Sequence, residues 1–258
     1  MASCDYLSSL DLVVNAALVT AADRTEVVDF CYDIAAKCYL DFDMVAMAMT
    51  TVDRFLSRRS RIAQEVLRGR RKFRLVAAAS LSLCHVDTQE KGACGNRCLD
   101  VLSSKMYTVG EIKNMESNIR QDLLGSAHAP TSLQIARRIL SMSLRVNLEE
   151  SRCGCVLDAV RFQTEHAVRD YYFSTQLPST VAIAAVLNVF DQVTGQDRQI
   201  MRCALLRVLP VVISEHVFIS FGDLLLLKER LRCDTEVDNL SDDATVVSET
   251  STGSLDQS

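Results

Sequence analysis

Phe73-Arg74-Leu75-Val76-Ala77-Ala78-Ala79-Ser80-Leu81-Ser82-Leu83-Cys84 is the stretch that decides the fold class. Apart from Arg74, every residue in it is apolar or small, so a helix built from it has no polar face to offer water and must be surrounded by other elements. Alanine and leucine favour the helix, and the run of alanines lets neighbouring backbones come close. Val181-Ala182-Ile183-Ala184-Ala185-Val186-Leu187-Asn188-Val189 repeats the pattern in the second half of the chain. Two enclosed helices of this kind imply two all-α cores.

The flanking segments supply the walls. From Val27, the residues Phe30, Cys31, Ile34, Ala35 and Cys38 recur at helical spacing, with Asp29, Asp33 and Lys37 on the opposite face. A second helix is predicted after Asp43, read as its N-cap, with the stripe Val45, Ala48, Met49, Val52, Phe55 and Leu56. Thr108-Val109-Gly110-Glu111 has the form of a capping box and opens a helix whose stripe is Ile112, Met115, Ile119 and Leu123, with Gly125 placed to end it. Helical signals resume at Leu133 to Leu144, Cys155 to Tyr172 and Pro178 to Val193, the last with Pro178 in its first turn and Gly195 beyond its end. In each half the alanine-rich helix is predicted to stand third, which gives two similar domains of about 100 residues joined near Ser126 to Pro130.

Composition agrees with this reading and removes several function classes. A chain of 258 residues with 48% hydrophobic content can bury real cores, and only 9 Gly and 3 Pro argue against turn-dense sandwiches and barrels. Ten cysteines in so long a chain, whose start lacks the basic region of a signal peptide, point to a reduced intracellular protein rather than a disulfide scaffold. The apolar run from Leu12 to Ala22, bounded by Asp11 and Asp23, falls short of the roughly 20 residues that span a bilayer, so no membrane partner is expected. Seven acids and no Lys or Arg follow Arg232; set aside, they leave 28 basic against 26 acidic residues, a body close to neutral that bulk charge does not mark as a nucleic-acid binder. The segment 233–258 is too poor in buriable surface to offset chain entropy and is predicted to be a disordered acidic tail rich in Ser and Thr, suited to acid-directed phosphorylation. Residues 1–23 are expected to be a helical N-terminal segment.

Val28-Asp29-Phe30 followed by Val52-Asp53-Arg54-Phe55-Leu56-Ser57 resembles the opening of a cyclin box, in which a Val-Asp-Trp motif precedes an Asp-Arg-Phe-Leu motif at this spacing. The likeness continues through Val66-Leu67-Arg68-Gly69, Arg74 to Ala79, Tyr107-Thr108, Met115-Glu116 and Leu177-Pro178-Ser179. It implies a tandem cyclin-box fold of two five-helix domains, 24–127 binding a kinase and 128–232 following it. The implied function is that of a regulatory subunit, not an enzyme and without a cofactor or metal, which binds and activates a cyclin-dependent protein kinase in cell-cycle control in the nucleus and cytoplasm. Arg24 and Asp53 match a pair that forms an internal salt bridge in the family. Glu116 matches the kinase-contacting glutamate; four residues on from Ile112, it lies about 40° around the helix from that residue, at the edge of the apolar stripe. Ser117 and Arg120 beside it, and Val86 and Asp87 at the end of the third helix, complete the expected kinase-binding set.

The chain also departs from that pattern. Cys84-His85-Val86-Asp87-Thr88-Gln89 aligns with a segment that usually carries a kinase-contacting lysine, and Val86 stands in its place; Lys91 could serve if the loop shifts. The groove in which many cyclins dock substrate and inhibitor peptides is expected here from Val27, Phe30, Asp33, Arg68 and Phe73, but Asp23-Arg24-Thr25-Glu26-Val27 puts acids at two apolar positions, so such peptides should bind weakly. Arg58, Arg59, Arg61, Arg68, Arg70, Arg71, Lys72 and Arg74 form a basic run that reads as a solvated loop, an import signal or a phosphate-contacting surface. Without interleaved aromatics other than Phe73, it argues against a nucleic-acid partner. The alternative function is a non-activating cyclin-fold scaffold or transcription-type module that uses this insertion. Cys94, Cys98, Cys153, Cys155 and His85 have spacings too loose for a zinc site, and no nucleophile, phosphate loop or His-Glu-x-x-His pattern signals catalysis.

Overall fold

The structure is a computed structural model that describes residues 19–88, 101–102, 106–124, 129–143, 150–193, 199, 202–203, 205–207 and 221–239, with the side chains of 87–88, 143, 150–153, 221 and 233–239 excepted. Expectations for the segment before Val19, for Lys91, Cys94, Cys98, Gly125 and Gly195, and for the tail from Leu240 lie outside the described residues.

Helix α1 (Ala21–Cys38) begins with a capping box: Thr20 Oγ1 accepts from the Asp23 N–H at 3.2 Å, and Asp23 Oδ2 accepts from the Thr20 N–H at 2.7 Å. Helix α2 (Asp43–Ser57) does not use Asp43 as its N-cap. Asp41 takes that task, its Oδ1 accepting from the Asp43 N–H at 3.0 Å, because the Asp43 carboxylate is committed to the second half of the chain. There it accepts from Thr131 Oγ1 at 2.7 Å and Gln134 Nε2 at 3.0 Å. The basic run is not a loop: Arg61–Leu67 forms a short helix, α3, capped by Ser60 and buried through Ala63, Val66 and Leu67, and Arg70 opens α4 (Arg70–Thr88). Helix α5 (Val109–Asp122) starts with the predicted capping box, Thr108 Oγ1 accepting from the Glu111 N–H at 3.1 Å. It ends before Gly125, with Leu124 rather than a glycine in the left-handed region at φ 52°.

The second half comprises α6 (Ser132–Ser143), α7 (Glu150–Arg169), the short α8 (Tyr171–Ser174), α9 (Pro178–Gln192) and α10 (Phe221–Asn239). Helix α10 continues through Asp234, Glu236 and Asp238, so the first residues assigned to a disordered tail are helical. Leu227 and Leu231 anchor the helix in the core, and once nucleated it gains one hydrogen bond for each further residue fixed.

Helices α1, α2, α3 and α5 pack around α4, which is buried continuously from Leu75 to His85. Helices α6, α7 and α10 pack around α9 in the same way, with Val181 to Val186 buried. The enclosed helix is fourth in each half rather than third, because short helices α3 and α8 precede it. The buried apolar residues fall into two clusters, one from Val19 to Leu123 and one from Ala136 to Leu231. The described residues are all helix and connection, with no strand.

A polar seam joins the clusters. Arg24 is 2% exposed. It donates from Nε and Nη2 to the two Asp53 oxygens at 3.3 and 2.8 Å, and from Nη1 to the Val168 carbonyl at 2.6 Å. Thr25 and Tyr32 donate to the carbonyls of Arg169 and Glu165, so side chains of α1 serve the last turn of α7. Removing one partner of a buried ion pair strands the other, at about 3–5 kcal/mol. Arg24→Met is expected to cost that much in urea unfolding; a loss below about 1 kcal/mol, the level of a surface pair, would show that the seam does not depend on it.

Burial pushes the Asp23 carboxyl up, but hydrogen bonds from Thr20 and the charge of Arg70 outweigh it and hold the group below its usual value. Glu111 is also depressed, by the Thr108 N–H and then by Arg71. A depressed carboxyl contributes stability above its unfolded value and loses it as pH falls through the folded one. Melting temperature is therefore expected to drop below about pH 4, and Asp23→Asn should flatten that slope.

Candidate functional site

Helix α5 turns Ile112, Met115, Ile119 and Leu123 into the first core and leaves Glu116 at the edge of that stripe, 7% exposed. Lys113 Nζ donates to Glu116 Oε2 at 2.9 Å. Among the described residues, Oε1 is buried and accepts no hydrogen bond. Ser117 and Arg120 are exposed on the same helix. Val86 is 46% exposed near the end of α4, which packs against α5, so the two parts of the predicted surface lie on neighbouring helices. Asp87 is on α4, its side chain beyond the described set. Both ends of α5 are tethered: Arg71 pairs with Glu111 at 2.8 Å, and Ser60 Oγ donates to Asp122 Oδ2 at 2.6 Å. Lys113 was not singled out from the sequence, although its i, i+3 spacing to Glu116 is the signal that finds it.

The predicted peptide groove is rearranged. Val27 and Phe73 are core residues, 3% and 0% exposed, and cannot wall an open groove, because the faces of α1 and α4 that carry them pack inward. Phe30 is half-buried with the Arg74 guanidinium over its ring, 5.4 Å from the centroid, and Arg74 is in turn ion-paired with Glu26. Asp33 and Arg68 are exposed.

Much of the basic run is neutralised by the chain's own acids. Arg70 pairs with Asp23 at 2.7 Å, Lys72 and Arg61 with Glu65 at 3.2 and 3.5 Å, and Arg71 and Arg74 with the acids already named. Arg58, Arg59 and Arg68 are exposed. A cleft of about 420 Å³ opens along the seam, but its acids Asp43, Asp53 and Glu165 are committed to Thr131, Arg24 and Arg161. Of the suggested zinc ligands, His85 is buried in α4 and Cys155 exposed on α7; no group of three ligating side chains occurs among the described residues. Burial pushes the Cys31 thiol up to about 12, which leaves it no nucleophilic thiolate at neutral pH. No described helix is long and apolar enough to cross a membrane.

The family model described as "Cyclin, N-terminal domain" matches residues 2–125, the part that contains Arg24, Asp53, Val86 and Glu116. Residues 2–125 therefore carry a cyclin N-terminal domain. The X-ray structure of a viral cyclin from herpesvirus saimiri superposes with a TM-score of 0.60 at 13% identity, covering 91% of this chain and 99% of that one. The cyclin fold therefore extends over both halves, and at this identity the likeness speaks for the fold alone. No curated protein sequence matches the chain.

Within that fold, the apolar residues expected to wall a peptide-docking groove are closed over. Desolvated pockets carry most of the energy of such contacts, and here the Arg74–Glu26 pair and the buried Val27 and Phe73 leave only Phe30 to offer one. Calorimetric titration with cyclin-docking peptides is expected to give no saturable heat up to about 100 μM, the range of weak encounters; low-micromolar binding would show that the ion pair opens.

Proposed function

We propose that this chain is a cyclin, the regulatory subunit of a cyclin-dependent protein kinase, which it binds and activates in cell-cycle control through the surface formed by α5 and the end of α4. The observation that carries the reading is Glu116, a carboxylate held at the rim of the core with one oxygen bonded to Lys113 and the other buried and uncommitted among the described residues. A buried acceptor left without a donor costs about 1–3 kcal/mol in the free protein, and a donor arriving on a partner recovers it. Lys113 supports the same reading, because it sets a cation beside the glutamate in a chain that has Val86 where the family's lysine usually stands. On this view activation is allosteric: a preshaped helical platform holds the kinase's regulatory helix and its Lys–Glu ion pair in the active arrangement, and the cyclin performs no chemistry.

The scaffold reading receives less support. A nucleic-acid contact through the basic insertion needs unengaged cations, and five of the eight face acids of the same chain. The exposed Arg58, Arg59 and Arg68 are better suited to an import receptor, consistent with work in the nucleus and cytoplasm.

The test is reconstitution of kinase activity with the chain and with Glu116→Ala. Loss of a buried charged contact costs about 2–5 kcal/mol, so activation at subsaturating cyclin is expected to fall by tenfold or more. Full activation by the variant would remove Glu116 from the contact, and salt-sensitive retention on nucleic acid without any kinase activation would favour the scaffold.

A further inference from the structure

The connection between α2 and α3 reads Arg58-Arg59-Ser60-Arg61. All three arginines are exposed, and Ser60 is half-buried between them. Arg61 reaches Glu65 only loosely, at 3.5 Å, from a side chain 93% exposed. A serine with cations on both sides in an exposed turn is the substrate that an enzyme with an acidic groove selects. Arg59 stands in the left-handed region at φ 54°, which L side chains rarely adopt, so opening this turn into an extended substrate conformation releases strain.

The Ser60 hydroxyl already has a specific partner. It donates to Asp122 Oδ2 at 2.6 Å, across 62 positions of sequence, and so fastens the start of α3 to the last residue of α5. The same oxygen accepts from the Ala63 N–H at 3.2 Å. Glu65, the acid on α3, is engaged by Lys72 and Arg61.

We propose that Ser60 is a phosphorylation site for an arginine-directed serine/threonine kinase, and that the phosphate detaches the end of α5 from α3. In the transfer, Ser60 Oγ attacks the γ-phosphorus of ATP, the bond from that phosphorus to the bridging oxygen breaks, ADP leaves, and the hydroxyl proton passes to the modifying kinase's base. The product carries a charge of about −2 where a donor stood. The bond to Asp122 is lost, and the like charges of phosphate and carboxylate repel. The flanking arginines draw the phosphate outward to solvent. Because α5 carries Glu116, the modification regulates the surface assigned above, and this part of the proposal rests on the proposed function.

The full chain is incubated with ATP and an arginine-directed serine/threonine kinase. One phosphate is expected on the peptide containing Ser60, and none there in Ser60→Ala. The phosphorylated chain should melt several degrees lower than the unmodified one, with a clearly smaller difference in Asp122→Asn, a variant that keeps the acceptor and the shape but removes the repulsion. No phosphate on Ser60 after exhaustive incubation, or equal melting shifts in the wild-type and Asp122→Asn chains, overturns the proposal. These two readouts involve no partner. A third compares activation of the partner kinase, expected to be several-fold weaker after modification; unchanged activation overturns the regulatory role. A chain that activates no kinase in either state defeats the proposed function, and the mass and melting results then decide the case for Ser60.

Discussion

The arrangement of the two boxes depends on one guanidinium. Arg24 is buried, and its cost of desolvation is met only because three nitrogens find acceptors on two other helices: both oxygens of Asp53 on α2 and the Val168 carbonyl on α7. A lysine could neutralise Asp53 but could not present a planar fork to the carboxylate and a further N–H to a carbonyl beyond it. The carbonyl matters as much as the carboxylate. Helix α7 ends at Arg169, and its last turn has orphan acceptors that Arg24 and Thr25 satisfy from the first box. The seam therefore completes α7, and the second box cannot shift without exposing or stranding those groups.

A second constraint explains the basic run. The first five residues of α4 include Arg70, Arg71, Lys72 and Arg74, at the end of a helix whose dipole disfavours positive charge. The fold offsets this with acids from three directions: Asp23 and Glu26 from α1, Glu111 from α5 and Glu65 from α3. Cations that are unfavourable on their own helix become ties between helices. The Arg74–Glu26 tie is also what covers Phe30, so the electrostatics that locate α4 account for the altered groove. Surface pairs contribute little to stability one at a time, and their effect here is to set which helix faces which.

The local rules read the enclosed helices, the Thr108–Glu111 capping box and Pro178 in the first turn of α9 correctly from sequence, because each depends on residues within a few positions of one another. Asp43 departs from the local rule for the opposite reason. An aspartate just before a helical stripe is a good N-cap, and only the arrival of Thr131, 88 positions away, diverts it. Short α3 was hidden because Ala63, Val66 and Leu67 are too few to show a period among arginines. The resemblance puts Val27 and Phe73 in a groove that their burial rules out, since likeness and periodicity tell which residues share a face but not which neighbour covers it. The candidate site was legible only in part: Glu116 at the stripe's edge followed from helical geometry, whereas its uncommitted oxygen depends on what the fold places around it.

That oxygen gives Glu116 a meaning that exposure alone would not. A solvated glutamate on a helix face has both oxygens in water and no reason to favour a partner over solvent. Glu116 has already given up most of its hydration to the core's edge, while a flexible, half-exposed lysine satisfies only one side. Replacing water around a charge is the expensive part of a buried polar contact, and here the fold bears much of that expense before any partner arrives. The ends of α5 are held by Arg71 and Ser60, so the carboxylate also loses little freedom on binding. On the proposed function, Val86, exposed near the end of the neighbouring α4, adds apolar surface where a lysine would have added a second charge, and so turns recognition from charge pairing toward shape and burial. On the same proposal, a surface so prepared suits a partner that brings one donor aimed at Oε1 and an apolar face for the end of α4, rather than one that brings a second carboxylate to meet a cation at position 86.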